Sequence, residues 1–250
     1  MRLLIPEPAR DISVPELMAE LRPADDPPPD RPYLMTNFAL TLDGRATIGG
    51  VSGPIGSDRD TELLVGLRTR ADAVMIGAGT MRAERYGRVV RDPAKRARRE
   101  DEGLAADPLM VIVSGRLDLP WDAPLFEEGA GEVVIFTASE SEAPETATPT
   151  HVVRHGPGVD LAGAMAYLRH ERGVRSLLCE GGPHLHAELL TLGLVDELFV
   201  THAPKLTGGE GPRLVAGLPE AERPVELIWL AAEPELGELY GRYRVTATQE

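Results

Sequence analysis

Residues 174–209, VRSLLCEGGPHLHAELLTLGLVDELFVTHAPKLTGG, decide the fold predicted for this chain. The apolar run 174–179 is typical of a buried strand, and a Glu-Gly-Gly turn at 180–182 ends it. Pro183 suits the first turn of a helix, and leucines at near-helical spacing extend that helix to a terminal glycine. Residues 197–202 then predict a second strand. The stretch therefore predicts a strand, a glycine turn, a helix and a strand.

The glycine turn has two interpretations that these residues leave open. Peptide N–H groups at a helix N-terminus can hold a phosphate, and glycine lets the backbone approach a ligand closely because it has no Cβ. A tight turn between strand and helix explains the same residues without a ligand. A second turn of this kind, Gly77-Ala78-Gly79-Thr80, follows the short strand 73–76, and a helix is predicted to begin at Thr80. Two such turns in one α/β chain favour a dinucleotide site.

Composition limits the classes of partner. The chain of 250 residues is long enough for one large α/β domain or two small ones. Its formal net charge of −14 argues against nucleic acid and anionic membranes as general partners. The single cysteine, Cys179, excludes a disulfide framework and a multi-cysteine zinc site, and we interpret it as a core residue. Neither a signal peptide nor a membrane span is predicted, so we expect a cytoplasmic protein.

Residues 1–32 are interpreted as an appendage, with a short helix capped by Ser13 and an acidic, proline-rich linker. Residues 33–250 are expected to form a single domain in which strands and helices alternate. Two strands joined by a turn at 226–247 predict an antiparallel hairpin. This order predicts an α/β fold with a mostly parallel central sheet and helices on both faces. Other strands are predicted at 33–40, 109–113, 132–136 and 151–153, and other helices after Ser57 and Asp160.

The segment 85–107 is rich first in arginine and then in acidic residues. Runs of charge are ordinarily solvated, so this segment is interpreted as a surface excursion.

Four stretches, found in the same order, resemble the reductase domain of bacterial riboflavin biosynthesis. They are TLDGRAT (41–47), LRTRADAVMIGAGTMRAE (67–84), CEGGPHLHAELL (179–190) and GLVDELFVTHAPKLTGG (193–209). The resemblance runs from about Tyr33 onward and implies a three-layer fold similar to dihydrofolate reductase. The N-terminal helix and the Tyr86-Gly87 motif resemble stand-alone actinobacterial members. The HxE…PCxxC signature of the zinc deaminase domain in bifunctional relatives is missing.

The resemblance implies NADPH as the hydride donor, with the protein aligning the reactants and holding their charges. Arg116 would favour the extra 2′-phosphate of NADPH over NADH, or it is only a solvent-facing turn residue. The positions that match the family's cofactor-binding residues are Phe38, Gly77, Thr80, Glu84, Ser114, Arg116, Gly181, Gly182, His184 and Leu185.

The resemblance also implies a substrate, 5-amino-6-(5-phosphoribosylamino)uracil, whose ribosyl group is reduced to a ribityl group. Glu180, directly before the glycine turn, is the catalytic candidate, more as an orienting carboxylate than as a proton carrier. Without the resemblance, Arg68 would be interpreted as a surface arginine. Asp43, in the LDG turn, could equally cap its own loop. The positions that match the family's substrate-binding residues are Asn37, Ser52, Arg68, Arg88 and Glu180.

Two departures from the family's pattern keep alternatives open. Bifunctional relatives carry an acidic pair and then an LTVR-like motif, where this chain has ERYGRVVR at 84–91. They often carry tryptophan where this chain has Pro54. Both departures bear on the substrate pocket more than on the cofactor site. The alternatives are a reductase of dihydrofolate or another pterin, and an NADPH-binding protein without turnover.

His184 and His186 do not predict a metal site. Two positions apart on a helix, they point to different sides and would chelate one ion poorly. We expect His184 near the glycine turn and His186 on an outer face. The resemblance further implies a homodimer, for which the strand 196–202 and the C-terminal hairpin offer apolar edges.

Overall fold

The computed structural model describes residues 1–154, 156, 158–217, 220 and 222–246. The chain divides into two compact units. Unit 1 comprises Met1–Leu21, Leu34–Gly66 and Pro183–Glu250, and unit 2 comprises Arg22–Tyr33 and Leu67–Gly182. The strands are β1 (Arg2–Ile5), β2 (Arg10–Asp11), β3 (Tyr33–Thr41), β4 (Ala73–Gly77), β5 (Leu109–Val113), β6 (Val133–Phe136), β7 (Thr150–Val153), β8 (Ser176–Cys179), β9 (Glu197–Ala203), β10 (Val225–Glu233) and β11 (Glu238–Val245). The helices are α1 (Val14–Ala19), α2 (Asp58–Arg68), α3 (Ala78–Glu84), α4 (Pro93–Asp101), α5 (Pro124–Glu127), α6 (Leu161–His170) and α7 (Pro183–Thr191).

Unit 2 contains parallel strands in the order β8-β4-β5-β6-β7. All the residues of β6 and β8 are buried, as expected for parallel strands that are covered on both faces. Short apolar runs such as VVIF and SLLC follow from that burial, because neither face of the strand meets water. The carboxyl ends of parallel strands lie at one edge of their sheet, so this edge gathers the residues that follow each strand.

Unit 1 combines one parallel pairing, β3 with β9, with antiparallel pairings in the order β9-β11-β10-β1-β2. The β10–β11 hairpin closes through a turn in which the Gly237 N–H donates to the Glu233 carbonyl at 2.9 Å. Gly237 has φ of +68°, a conformation that L-residues with a side chain rarely adopt. The Leu34 N–H donates to the Asp196 carboxylate at 2.7 Å, which fixes the start of β9 beside β3.

The α/β class and the mostly parallel sheet with a C-terminal antiparallel hairpin are confirmed. Residue 247, to which the hairpin was predicted to extend, lies outside the described residues. Ser13 and Asp160 cap α1 and α6 as predicted, through hydrogen bonds to the N–H groups of Glu16 and Gly163.

The sequence did not predict strand β1, which pairs with β10 in unit 1. The division at residue 32 into an appendage and a single domain stays a prediction. Helix α3 begins at Ala78, two residues before the predicted Thr80, because Gly77 already has the extended conformation of an N-cap. None of the helices described is long and apolar enough to cross a membrane.

The interpretation of residues 85–107 as a solvated excursion fits most of this segment but is wrong at Gly87, Val89, Val90 and Arg99, which are buried. Helix α4 lies within this segment, and its Arg99 is only 1% exposed. The Arg99 guanidinium donates to three carbonyl oxygens, those of Arg68 at 2.7 Å, Ala71 at 2.8 Å and Ala105 at 2.8 Å. Burial lowers the pKa of Arg99 to about 10 despite nearby carboxylates. The Arg99 charge is buried because it donates hydrogen bonds to carbonyl groups that lack partners in helices and strands.

We expect Arg99→Met to lower the free energy of unfolding by about 3 kcal/mol, because three buried carbonyls lose a charged donor. Arg98→Met is the matched control, since Arg98 lies on the same helix in an exposed ion pair with Glu102. Its effect should stay within about 0.5 kcal/mol. Urea unfolding of both variants measures the difference, and equal losses would contradict the role given to Arg99.

Candidate active site

Glu180 follows β8 directly, at the carboxyl edge of the parallel strands of unit 2. Its N–H donates to the Met75 carbonyl of β4 at 2.9 Å, so its backbone is fixed by the neighbouring strand. Its carboxylate is 4% exposed and faces the side chain of Arg68, which is 14% exposed. The Arg68 Nε donates to Oε1 at 2.6 Å and one terminal nitrogen donates to Oε2 at 2.7 Å. This is a bidentate ion pair, the strongest geometry available between these side chains.

Tyr86 completes the cluster. Its hydroxyl donates to Glu180 Oε2 at 2.8 Å, and the Arg68 guanidinium carbon lies 5.8 Å from the centroid of its ring. Burial raises the pKa of Tyr86 well above its ordinary value, and the Glu180 carboxylate raises it further, so the hydroxyl stays a donor. Burial opposes the charge of Arg68, but Glu180 outweighs it and the pKa of Arg68 is raised. The cluster is therefore a carboxylate held by one permanent cation and one neutral hydroxyl.

The glycine turn lies beside this cluster in unit 2. The Gly77 N–H, at the end of β4, donates to the Gly181 carbonyl at 2.8 Å. Gly181 has φ of +93°, and the Gly181–Gly182 peptide is cis. A Cβ on Gly182 would lie 3.1 Å from the Thr80 hydroxyl oxygen. The two predicted glycine turns therefore meet, and the positive φ of Gly181 favours glycine at that position.

The other cofactor candidates of unit 2 lie along the same edge or at the surface. Ser114 directly follows β5, is 2% exposed and donates its N–H to the Phe136 carbonyl at 3.0 Å. Arg116 is exposed in the turn that follows it. Glu84 is the last residue of α3 and is half-buried.

Arg88, a predicted substrate residue, pairs with a carboxylate of its own unit. Its Nε lies 3.0 Å from Asp107 Oδ1, and a terminal nitrogen donates to Oδ2 at 3.1 Å. Its N–H donates to Glu128 at 3.2 Å. The described structure therefore does not bring Arg88 into the Glu180 cluster.

The candidates of unit 1 are spread over three elements. Asn37 and Phe38 lie on β3, where Asn37 is half-buried and Phe38 is 7% exposed. Ser52 is exposed in the loop before α2. His184 and Leu185 occupy the first turn of α7, the former exposed and the latter buried. Their roles in binding stay predictions.

Asp43 closes a loop of unit 1. Its carboxylate accepts a hydrogen bond from the Thr41 hydroxyl at 2.6 Å, and from the N–H groups of Thr207 at 3.3 Å and Gly208 at 2.8 Å. The Thr41 hydrogen bond does most to lower its pKa, which falls to about 2. These contacts fit the loop-capping interpretation of Asp43.

The placement of His186 on an outer face is wrong. The imidazole is fully buried, its Nδ1 lies 3.1 Å from the Leu214 carbonyl oxygen, and its Nε2 lies 3.4 Å from the Thr36 hydroxyl. Its ring packs on Phe38 with a centroid distance of 4.8 Å. Burial lowers the pKa of His186 to about 4. With Nδ1–H donating to the carbonyl and Nε2 accepting from the hydroxyl, the neutral ring satisfies both partners.

The sequence profile of the RibD C-terminal domain family matches residues 32–230. The chain belongs to this family. Among its relatives, a 2,5-diamino-6-ribosylamino-4(3H)-pyrimidinone 5′-phosphate reductase of Archaeoglobus fulgidus is 31% identical over 183 residues, 72% of this chain and 83% of the relative. The protein of the same name from Methanothermobacter thermautotrophicus is 32% identical over 188 residues, 73% of this chain and 82% of the relative.

Solved structures of the family have the same fold. A pyrimidine reductase-like protein of Corynebacterium diphtheriae superimposes with a TM-score of 0.75 at 27% identity, covering 87% of this chain and 93% of that one. The resemblance stated from the four sequence stretches is thus confirmed, and with it the dihydrofolate-reductase-like fold.

Sequence reasoning identified Glu180 and Arg68 through the RibD resemblance, but it did not identify Tyr86 as their partner. The Tyr86 hydroxyl and the Glu180 carboxylate are 94 residues apart in the chain. The only signal was indirect: Tyr86 lies within the segment 84–91 that departs from bifunctional RibD proteins.

His186 predicts a defined dependence of stability on pH. Its folded pKa of about 4 lies below its ordinary 6.5, so the unfolded chain takes up the proton first as the pH falls. The contribution is complete above pH 6.5 and is lost down to about pH 4, a loss of about 3 kcal/mol.

Urea unfolding over this pH range should show the loss in the wild type and not in His186→Gln. His151→Gln is the control, because His151 is 54% exposed in its side chain. A wild-type slope preserved in His186→Gln would refute the assignment.

Proposed function

We propose that this chain is an NADPH-dependent reductase of riboflavin biosynthesis that converts the ribosyl group of a phosphorylated ribosylamino-pyrimidine into a ribityl group. The observation that carries the proposal is the Glu180–Arg68–Tyr86 cluster, set at the carboxyl edge of the parallel strands in a member of the RibD family. The edge at which parallel strands end is where open α/β sheets bind ligands. The relatives named as pyrimidinone phosphate reductases support the reaction class.

Two features of the unit 2 edge support a nicotinamide nucleotide as the cofactor. Residues 77, 181 and 182 are glycines and carry no Cβ, and a Cβ on Gly182 would crowd the Thr80 hydroxyl. Such bare backbone can approach phosphate groups closely. NADPH supplies the hydride when it is bound. Arg116, exposed after β5, is the residue proposed to favour the 2′-phosphate.

We propose that Glu180 orients the substrate and does not act mainly as a general acid or base. Reduction of ribosyl to ribityl adds a hydride to the sugar carbon and a proton to the ring oxygen that leaves it. Glu180 already accepts three hydrogen bonds, so we propose that it orients the pyrimidine by accepting a fourth from one N–H group of the ring. Neutralisation by Arg68 keeps this acceptor stable in a nearly dry site.

The identity of the pyrimidine depends on whether deamination comes first. The relatives from Archaeoglobus and Methanothermobacter are named for the 2,5-diamino compound. The uracil compound was expected from the resemblance to bacterial enzymes. The two differ in one exocyclic group, amino or oxo, and both carry N–H donors for a carboxylate.

The decisive test is NADPH oxidation by the purified protein with each pyrimidine in turn, followed by nicotinamide absorbance. We expect saturable oxidation with at least one of them and a slower rate with NADH. Oxidation only with dihydrofolate or another pterin would assign the chain to that alternative. Tight NADPH binding without NADPH oxidation in the presence of any of these substrates would favour the non-catalytic alternative.

Glu180→Gln should lower kcat/KM for the pyrimidine about 10- to 100-fold, because an amide accepts fewer hydrogen bonds and does not balance Arg68. The Kd for NADPH, measured by fluorescence titration, should stay within about twofold. Glu132→Gln is the control, since Glu132 forms a peripheral ion pair with Arg172 in the same unit. Unchanged turnover in Glu180→Gln would remove this carboxylate from the mechanism.

Assembly as a homodimer and a cytoplasmic location remain predictions. Size-exclusion chromatography with light scattering tests the former directly.

A further inference from the structure

The two oxygens of Glu180 are not equivalent. Oε2 accepts from the Arg68 guanidinium at 2.7 Å and from the Tyr86 hydroxyl at 2.8 Å. Oε1 accepts only from the Arg68 Nε, at 2.6 Å, among the described residues. A carboxylate oxygen has two lone-pair positions. Oε2 is therefore saturated, and Oε1 keeps one position for a further donor.

The chain fixes Tyr86 firmly enough to create this asymmetry. Helix α3 ends at Glu84, and the φ of +46° at its C-cap, Arg85, turns the chain out of the helix. The Tyr86 carbonyl then accepts from the Leu125 N–H at 2.9 Å, which ties this residue to α5. The Tyr86 ring packs against the buried apolar cluster of unit 2. Arg68 is fixed from the other side, since its side chain donates to the Val89 carbonyl at 3.2 Å and its own carbonyl accepts from Arg99.

We propose that Tyr86 is a positioning residue for the reductase reaction, and that its hydroxyl occupies Glu180 Oε2 so that Oε1 alone accepts from a substrate N–H or O–H group. This inference rests on the proposed function. The donor from Tyr86 holds the carboxylate plane in one rotamer. The site accordingly selects heterocycles that present a donor at this point and disfavours those that present only a lone pair.

Tyr86→Phe isolates the hydroxyl, because phenylalanine keeps the ring against Arg68 and the apolar cluster. We expect kcat for the pyrimidine to fall about 10-fold, as for the loss of one hydrogen bond to a charged group. The KM for NADPH should stay within about twofold. Tyr167→Phe is the matched control, since the Tyr167 ring packs edge-on against Phe136 in the same unit and the residue is not placed in the binding machinery. Its kinetics should match the wild type.

A double-mutant cycle shows whether Tyr86 acts through Glu180. If it does, Tyr86→Phe should change kcat less than about twofold when Gln already replaces Glu180. A purely structural defect would lower kcat equally in both backgrounds and would overturn the proposal. Wild-type kinetics in Tyr86→Phe would overturn it as well.

A second test needs no substrate: it follows the NMR resonance of the isotope-labelled Glu180 carboxyl group. This resonance is assigned by its loss in Glu180→Gln. It should shift in Tyr86→Phe and not in Tyr167→Phe, and an unshifted resonance would refute the Tyr86–Glu180 contact. If neither pyrimidine supported NADPH oxidation by the wild type, the proposed function and the substrate role of Oε1 would both fail. The resonance would still decide whether Tyr86 holds Glu180.

Discussion

The bidentate pairing of Arg68 with Glu180 is the interaction on which unit 2 depends. A carboxylate that is 4% exposed would be very costly without a cation, and Arg68 supplies a charge that no physiological pH removes. The cation in turn requires a fixed backbone. Arg99, buried beneath it, donates to the Arg68 carbonyl and to two carbonyls nearby. Two arginines in succession thus support one carboxylate, which explains why Arg99 is buried although most of α4 is exposed.

The sequence was most informative where the backbone is buried on both faces. Apolar runs such as 109–113 and 132–136 predicted strands to within a residue, because a parallel strand leaves few polar positions to blur the pattern. It failed where burial is achieved by a charged side chain. Nothing in the composition of residues 85–107 distinguishes Arg99, at 1% exposure, from its exposed neighbours. The difference lies in three distant carbonyls, and no local pattern encodes them.

The candidate site divides in the same way. Glu180 and the glycine turns could be predicted because they sit at the ends of recognisable strands. Its partner Tyr86 could not be predicted, because Tyr86 and Glu180 are 94 positions apart in the chain and meet only through the packing of α3 and α5 against the strands. The predicted outer-face position of His186 was wrong for a related reason. A helix of nine residues gives a weak apolar pattern, and a histidine that satisfies a carbonyl and a hydroxyl can be buried as fully as a leucine.

The segment 84–91 departs from the pattern of the bifunctional relatives, and its contacts bear on whether this chain is a pterin reductase. Tyr86 donates to Glu180, and the Val89 carbonyl accepts from Arg68. Arg88 is engaged by Asp107. The departure from the bifunctional pattern is therefore concentrated around the same carboxylate and arginine that the resemblance assigns to the substrate. A chain that had left pyrimidine chemistry would have little reason to rebuild support for this pair. The altered segment is therefore better explained as a different way of holding Glu180 than as a sign of a different reaction.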